Sequence, residues 1–299
     1  MSKDFITNSI LQSTANAIRY CDKTTNSIAP KDFADRIREL DKLIPQPDAL
    51  NFYMPNGGTI SLNKVGSPTV VELEYSLDRG LTWTVWAEDQ DGNRSLTLTA
   101  GQRMYVRSTS ETSTTFSLSD SDYYKFQFTD TVEAYGFVDS LLCRNINNAI
   151  ISDYVFNNLF QSCKTLIKAP NILTTTPMKT GCFGKMFAYC SNLKTAPESL
   201  LSIIPGTTSC YQMFRDCSSL KKSPDIYLQS AVKYTLIYMF QGCSLLEEVR
   251  VRLINISDDS ALYNWLKNVS AQGDFYCPAS LTIPEGESGI PTGWTRHDI

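Results

Sequence analysis

The sequence predicts a multidomain chain with an N-terminal helical hairpin, a central antiparallel β-sandwich and a C-terminal repeat solenoid that mixes helix and strand (α+β). Three patterns carry this prediction. Apolar residues fall on one helical face near the start, alternate with polar residues in the middle, and recur at a fixed spacing in the second half. A chain of 299 residues is long enough for two or three domains. We place them at residues 1–48, 49–135 and 136–299.

Residues 1–48 contain two amphipathic segments. One apolar stripe runs from Ile6 to Ile18, and a second follows Pro30, a residue suited to the first turn of a helix. Two helices of this size bury little apolar surface alone, so we expect them to hold a partner or further copies of the chain. The residues expected to make these contacts are Ile6, Ile10, Leu11, Ile18, Phe33, Ile37 and Leu40.

Residues 49–135 show the alternation of a β-sandwich. Residues 71–75 alternate between apolar and acidic side chains, which predicts a strand with Glu72 and Glu74 on a solvated face. Asp78-Arg79-Gly80 then predicts a hairpin turn into a strand at 81–86. With further strands, we expect six or seven in total. These strands are predicted at Thr59–Asn63, Arg103–Arg107, Thr114–Leu118 and Tyr123–Phe128.

Four copies of one pattern run through the second half of the chain. Each copy has an apolar residue before Phe, Cys three residues after it and Leu three residues further. The phenylalanines, Phe160, Phe187, Phe214 and Phe240, are 27, 27 and 26 residues apart. A fixed period in this range is typical of a stacked solenoid, in which each unit buries its apolar side against the next.

Within a copy, the spacing predicts a short helix followed by a turn and an extended segment. In the second copy the apolar residues Phe183, Met186, Phe187 and Cys190 stand at i, i+3, i+4 and i+7. The extended segment should end at the proline ten residues after each of the first three phenylalanines. The Thr- and Ser-rich stretches 173–180 and 200–208 are predicted to be loops.

The remainder of the chain is predicted to cap the stack. Trp265 falls where the next phenylalanine would stand, and an extended segment at 275–278 precedes a Gly- and Pro-rich tail that ends at Trp294. A terminal repeat needs an atypical outer face because nothing stacks on it.

Nine cysteines could indicate a metal site or disulfides. Four of them recur at the repeat period, so each occupies the same place in its own unit and can stack as a small apolar side chain. Cys182 and Cys210 form a second, looser series, and no pair has the close spacing of a zinc site. We therefore predict buried free thiols, and neither metal nor cofactor. The four periodic cysteines are Cys163, Cys190, Cys217 and Cys243.

Candidate catalytic residues are few. The only histidine, His297, lies two residues from the end, where a mobile side chain is poorly placed to act as a base. Glu72 and Glu74 could form the paired carboxylates of a glycosidase, although a solvated strand face is the preferred interpretation. Residues 89–93 begin like a calcium loop, but Gly92 comes two places early, so a hairpin turn is favoured. We expect no enzyme.

Composition excludes further classes. A net charge of −4 does not suit a general nucleic-acid interface, which needs a basic surface. No apolar run approaches the ~20 residues of a membrane-spanning helix. The start, residues 1–5, lacks the basic and apolar regions of a secretory signal, which favours synthesis in the cytoplasm. Tyr189, Tyr227 and Tyr234 lie off the repeated positions and could serve recognition, although tyrosines also cover repeat edges without binding anything.

The repeats carry a resemblance. Met-Phe-x-x-Cys-Ser-x-Leu-Lys-x-x-Pro, at 186–197 and 213–224, resembles the BspA-like leucine-rich repeats in surface proteins of gut and oral Bacteroidetes and in proteins of their phages. The resemblance covers about residues 140–299, and residues 289–295 are similar to the usual end of such arrays. Residues 11–37 resemble a short helical module found at the start of phage tail and fibre proteins.

The resemblance of the repeats implies a solenoid used for adhesion or recognition. Together with the fibre-like opening and the missing secretory signal, it favours a virion structural protein of a Bacteroidetes phage of the crAss-like type, made in the host cytoplasm as a head or tail fibre. Other virion proteins would hold its first 48 residues. A homo-oligomer is expected, with a trimer favoured, and the repeats would face a host surface glycan or protein. A bacterial cell-surface adhesin is the alternative hypothesis, and a glycan-degrading enzyme is the third. The receptor-binding residues are not predicted.

Overall fold

The computed structural model describes residues 48–173, 177–202 and 205–299. Contacts divide the chain into two units, 1–46 and 47–299. The predicted helical hairpin and its contact residues from Ile6 to Leu40 lie outside the described residues. The described part is almost entirely β-structure, with fourteen strands and two short 3-10 helices.

The strands and helices have the following bounds. The first eight strands are β1 (Leu50–Met54), β2 (Gly58–Val65), β3 (Leu73–Ser76), β4 (Thr84–Val85), β5 (Arg94–Leu98), β6 (Gln102–Ser108), β7 (Tyr123–Phe128) and β8 (Val132–Tyr135). The 3-10 helices are Val138–Leu141 and Ile146–Asn148. The later strands are β9 (Leu166–Lys168), β10 (Ser199–Ser202), β11 (Lys222–Ala231), β12 (Glu248–Ile256), β13 (Gly273–Cys277) and β14 (Trp294–Asp298).

Strands β1–β8 form the predicted sandwich. One sheet has the order β4-β3-β6-β1-β8-β9 and the other β5-β2-β7, and β8 with β9 is the parallel pair among them. The two sheets pack through aromatic side chains, with the ring of Phe52 on β1 4.8 Å from that of Phe126 on β7. The hairpin of β3 and β4 and the strands predicted near β2, β6 and β7 are confirmed.

Residues 114–118 form no strand, contrary to the prediction. Their backbone bonds locally and to the segment after β8, since the N–H of Thr114 donates to the carbonyl of Leu142 and that of Leu118 to Asp122. The alternating pattern nevertheless buries Phe116 completely. Leu118, which the pattern places on the same face, is 46% exposed, and Ser117 is buried, so alternation predicted the burial of Phe116 but not a strand with two faces.

The second half of the chain is a β-solenoid of about four coils. Each coil consists of a turn segment, which contains the repeated Phe and Cys, followed by a strand. Strands β10–β14 lie side by side in one parallel sheet. The turn segments of the four coils are residues 154–163, 181–190, 208–217 and 234–243.

The segments predicted as helices are these turn segments, and that prediction is wrong. In residues 181–190, alternate N–H groups donate to carbonyls of the next coil at 2.7–2.9 Å between Phe183 and Tyr189. The intervening N–H groups close tight turns onto the carbonyl three residues earlier. Every fourth residue has a left-handed backbone, with φ of 57° at Gly181, 52° at Lys185 and 64° at Tyr189.

The same period explains why the buried residues were nevertheless predicted correctly. A ribbon of turns that repeats every four residues brings positions i, i+3, i+4 and i+7 to one side, as an α-helix does. Phe183, Met186, Phe187 and Cys190 are all fully buried. The described residues therefore correct the α+β class to an almost all-β fold.

The repeated phenylalanines form one continuous column. Successive ring centroids from Phe160 to Phe240 are 5.4, 5.3 and 5.5 Å apart, with interplanar angles of 4–10°. Phe126 of β7 continues the column at 5.2 Å from Phe160. The sandwich therefore covers the first coil, and the two regions share one hydrophobic core.

The periodic cysteines form a second column beside the first. Each thiol donates to the carbonyl of a phenylalanine in the preceding layer, over 2.9–3.1 Å from sulfur to oxygen. All eight described cysteines are buried and free. The predicted ladder is thus present, and its thiols also act as hydrogen-bond donors.

The C-terminal cap closes the last coil. Trp265 takes the phenylalanine position, tilted by 58° to Phe240, and its indole N–H donates to the carbonyl of Gly289. Strand β14 then pairs with β13, although the sequence predicted a tail there.

The predicted loops between copies are partly strand. Residues 200–202 belong to β10, and β11 continues well beyond Pro224, which lies where the pairing of β11 with β12 shifts register. The proline therefore marks an irregularity within a strand and not its end.

Candidate recognition surface of the solenoid

The side chains of the repeat motif are buried in the core, so any binding site must consist of residues outside the motif. The motif Phe, Cys and Leu side chains of all four copies are buried. Two surfaces remain. The sheet face consists of the outward side chains of β10–β14. The turn face consists of the outward side chains of the four turn segments and of the equivalent turn of the cap, residues 259–268.

A row of paired polar and aromatic residues crosses the sheet face. Arg250 lies 3.6 Å from Asp225 on β11, and its guanidinium lies 4.1 Å from the ring centroid of Tyr276 on β13. The other side of this ring stacks on His297 of β14 at 4.6 Å, and His297 lies 2.7 Å from Asp274. The ring of Tyr276 is therefore occupied by its neighbours. We interpret the row as a set of side-chain contacts that hold neighbouring strands together.

The position of His297 corrects a prediction. The residue was expected on a mobile terminus, yet strand pairing of β14, the Tyr276 ring and the Asp274 carboxylate all hold it. The sequence could not show this because the pairing joins residues from neighbouring coils.

A shallow apolar depression lies beside this row on the sheet face. Its volume is about 420 Å³, and its lining includes Leu201, Tyr227, Arg252 and Ile254. Leu201 and Ile254 are exposed, and the Arg252 guanidinium lies 5.4 Å from the ring centroid of Tyr227. Of the tyrosines proposed from sequence, Tyr227 is thus the one on this face.

The turn face carries a larger set of aromatic side chains. Tyr189, Tyr234 and Tyr263 are 38%, 37% and 48% exposed. Three more tyrosines of the turn segments are partly exposed. The six tyrosines of the turn face are Tyr154, Tyr189, Tyr211, Tyr234, Tyr238 and Tyr263.

Charged groups on the turn face hold some of these rings. The Arg215 guanidinium lies 5.9 Å from the ring centroid of Tyr189 and 6.0 Å from that of Tyr238. Lys185 approaches the ring of Tyr211 at 5.0 Å. Each contact joins neighbouring coils, and cation–π contacts of this kind fix ring positions.

Lys185 and Arg215, together with Lys267, form ion pairs with carboxylates. Lys185 lies 3.3 Å from Asp120, Arg215 lies 3.3 Å from the neighbouring Asp216, and Lys267 lies 3.1 Å from Glu287. The ion pairs leave this part of the turn face close to neutral.

Two glycines let large side chains lie across the turn face. A Cβ at Gly181 would stand 2.6 Å from the ring of Tyr154. A Cβ at Gly184 would stand 2.8 Å from Oδ1 of Asn157 and 3.0 Å from the ring of Tyr211. The second coil is therefore built to accept side chains from the first and third coils.

Two buried amide oxygens beneath the turn face have no hydrogen-bond partner among the described residues. Oδ1 of Asn157 is one, and Oε1 of Gln241 is the other. Asn157 is fully buried, and its amide nitrogen donates to Asp120 over 2.7 Å. Both oxygens are enclosed by the protein, and a buried acceptor without a donor costs free energy.

The carboxylates considered for glycoside hydrolysis are in different environments. Glu72 is exposed, as predicted, but Glu74 is only 9% exposed, and the prediction of a solvated side chain is wrong for it. The register of β3 with β6 places Glu74 opposite Arg107, whose Nε lies 2.7 Å from its carboxylate. The guanidinium of Arg107 also stacks on Trp83, 3.7 Å from its ring centroid, and this ring covers one side of the ion pair.

Residues 89–93 form a turn, as predicted. The carboxylate of Asp89 accepts from the N–H groups of Asp91 and Asn93 at 2.9 Å each, and these bonds lower its pKa. Across the three described ranges, no three His, Cys, Asp or Glu side chains form a group that could hold a metal ion.

The cysteines are placed for packing. Burial raises the pKa of Cys163 and of Cys210 to about 12 each and raises that of Cys190 well above its ordinary value. A thiol with so high a pKa carries almost no thiolate at neutral pH, and thiolate is the reactive form.

Sequence reasoning identified Tyr189 and Tyr234 on the turn face and missed Tyr154, Tyr211, Tyr238 and Tyr263. A usable signal existed, since tyrosines stand at 234 and 238, four residues apart. Positions four residues apart lie on one side both of a helix and of a ribbon of four-residue turns, so the spacing alone placed these two tyrosines together.

Comparisons with family models, curated proteins and solved structures gave no match to this chain. Among the residues that the structure describes, no helix is both long and apolar enough to span a membrane.

Proposed function

We propose that this chain is a virion structural protein, a head or tail fibre, that recognises a host surface through the turn face. One observation carries the proposal. The solenoid buries its whole repeat motif and leaves six tyrosines outside the motif on one side of the stack, namely Tyr154, Tyr189, Tyr211, Tyr234, Tyr238 and Tyr263.

Rigidity supports a recognition role. Backbone hydrogen bonds tie each turn segment to the next, and the phenylalanine column fixes the coils from inside. A surface that is ordered before binding loses little conformational entropy when it binds. Tyrosine adds contact area and a hydroxyl group with few torsions to fix.

A non-catalytic role fits Glu74, one of the two carboxylates considered for glycoside hydrolysis. Glu74 is held by Arg107 at 2.7 Å and by Arg144 at 3.5 Å, so it is poorly placed to act as a general acid or nucleophile. The proposal of a virion location rests on the resemblance of the repeats and of residues 11–37 to phage proteins.

We further propose that residues 1–48 bind a capsid or tail protein and bring copies of the chain together, with a trimer favoured. Several copies would convert weak contacts at each turn face into useful avidity. Mass photometry of the full chain should show an oligomer, and the double change Ile10→Asp with Ile37→Asp should release monomers. A monomeric wild-type chain would contradict self-association and leave anchoring alone.

The recognition role is tested on cells and particles. Fluorescently labelled full-length chain should bind some isolates in a panel of Bacteroidetes and should slow adsorption of the phage that encodes it. Antibody against the chain should label purified particles. Labelling of the envelope of uninfected cells would instead indicate the adhesin, and binding to no isolate would contradict a recognition role.

A further inference from the structure

We infer that the turn face binds a neutral, hydroxyl-rich polysaccharide whose chain runs along the solenoid axis across successive coils. This inference rests on the proposed recognition function and names the class of ligand. Three properties of the turn face support it: its rings, its charge balance and its exposed amide side chains.

The rings suit sugar faces better than an apolar peptide. Tyr189, Tyr234 and Tyr263 are each more than a third exposed. The C–H groups on one side of a pyranose ring pack on an aromatic ring, while its hydroxyl groups stay hydrogen-bonded. Exposed aliphatic side chains, which an amphipathic helix would need, are instead found on the sheet face at Leu201 and Ile254.

The charge balance favours a neutral ligand, although the exposed Lys233 borders the face, with its Nζ 5.3 Å from the ring centroid of Tyr234. Lys185, Arg215 and Lys267 each lie within 3.3 Å of a carboxylate, so an anionic polymer would have to displace an existing ion pair. Nucleic acids and polyuronates therefore gain little from these cations.

The hydrogen-bonding groups suit hydroxyl ligands, which both donate and accept. Gln212 and Asn264 flank Tyr238 in the same row of left-handed residues. The partly exposed amides of Gln212 and Asn264 can donate to and accept from sugar hydroxyls.

The repeat of the protein matches the repeat of such a ligand. Coils are separated by 5.3–5.5 Å, measured between the rings of Phe187, Phe214 and Phe240. A pyranose unit in an extended chain has a similar length. Successive sugar units can therefore meet successive coils, on a path that crosses the turn segments obliquely because Tyr189, Tyr234 and Tyr263 occupy different positions along them.

The test uses the full-length chain and surface polysaccharide extracted from a host isolate that the chain binds, divided by anion exchange into neutral and acidic fractions. Affinity electrophoresis should show retardation by the neutral fraction. The double change Tyr189→Ala with Tyr263→Ala should weaken retardation at least tenfold. Tyr227→Ala, on the sheet face, is the matched control and should change it less than twofold. Thermal unfolding of each variant verifies that the fold is intact.

Several outcomes would overturn the inference. They are retardation by the acidic fraction alone, equal loss with Tyr227→Ala, and undiminished binding to host cells whose sugars have been cleaved with periodate. In the periodate case the recognition function would stand and the polysaccharide would be excluded as its ligand. Absence of binding to any untreated isolate would instead refute the recognition function itself, and the inference with it.

Discussion

At the scale of single residues, the fold depends on side chains that serve two purposes. The cysteine column fills space between coils and also donates a hydrogen bond, as Cys217 does to the carbonyl of Phe187 over 3.1 Å. The sequence predicted the burial of these residues because a period fixes equivalent places. It could not predict the bond, which depends on where the previous coil presents its carbonyl.

This bond predicts the order of two substitutions at Cys217. Cys217→Ala removes both the donor and part of the volume and should cost about 1–2 kcal/mol of unfolding free energy. Cys217→Ser keeps a donor and should cost less than the alanine change. Chemical denaturation measures both. A serine variant less stable than the alanine variant would show that the column acts only as apolar filling.

Backbone strain gives a second prediction for single residues. Thr208 is β-branched and has φ of 55°, a conformation that such residues rarely adopt. Thr208→Gly should therefore stabilise the chain by about 1 kcal/mol. Its neighbour Thr207 has no such φ, so Thr207→Gly should destabilise it through added freedom of the unfolded chain. The same sign for both variants in thermal unfolding would contradict the assigned backbone.

At the scale of elements, the turn segment is where the structure differs most from the sequence-based prediction. The spacing of Phe183, Met186, Phe187 and Cys190 fits both a helix and a ribbon of four-residue turns. Hydrogen bonds between coils decide the outcome, and they join residues about 27 positions apart, as from Lys185 to Tyr211. No local pattern contains that information, which is why burial was predictable and secondary structure was not.

Each coil should be stabilised mainly by its phenylalanine. Phe187 is fully buried between Phe160 and Phe214, so Phe187→Ala should cost about 3–5 kcal/mol, and the damage should spread to adjacent coils. Tyr189→Ala removes a partly exposed ring from the same coil and should cost under about 1 kcal/mol. Equal costs in denaturant unfolding would contradict the assignment of inner and outer sides.

At the scale of the described unit, the sandwich and the solenoid meet at a seam, which consists of residues 138–139 and 171–173. The N–H of Val138 donates to the carbonyl of Asn171, and the carboxylate of Asp139 accepts from the N–H of Leu173 over 2.7 Å. Asp139 is fully buried, and its Oδ1 has no partner among the described residues. Composition and alternation predicted two regions but not this shared core, because the seam unites residues with different patterns.

The seam predicts a dependence of stability on pH. Burial raises the pKa of Asp139 from 3.8 to about 7. The folded chain therefore holds a proton that the unfolded chain releases, and the stability from this group is lost as pH rises from 3.8 to 7. Asp139→Asn should remove about 2–3 kcal/mol of the difference in unfolding free energy between about pH 5 and pH 8.

The exposed Asp259 provides the control for this experiment. Asp259→Asn should leave the pH dependence of unfolding as it is in the wild-type chain. An Asp139→Asn variant with the wild-type dependence would show that the seam carboxyl does not titrate as inferred.

The central claim is that each repeat of 26 or 27 residues is one coil of a β-solenoid, tied to its neighbours through the backbone. Backbone NMR of the full chain tests it most directly. We expect positive φ at Lys185 and Tyr189, with amide contacts from Phe187 to residues of the next coil around Met213. Continuous helical φ through residues 181–190, with amide contacts confined to the same repeat, would contradict it.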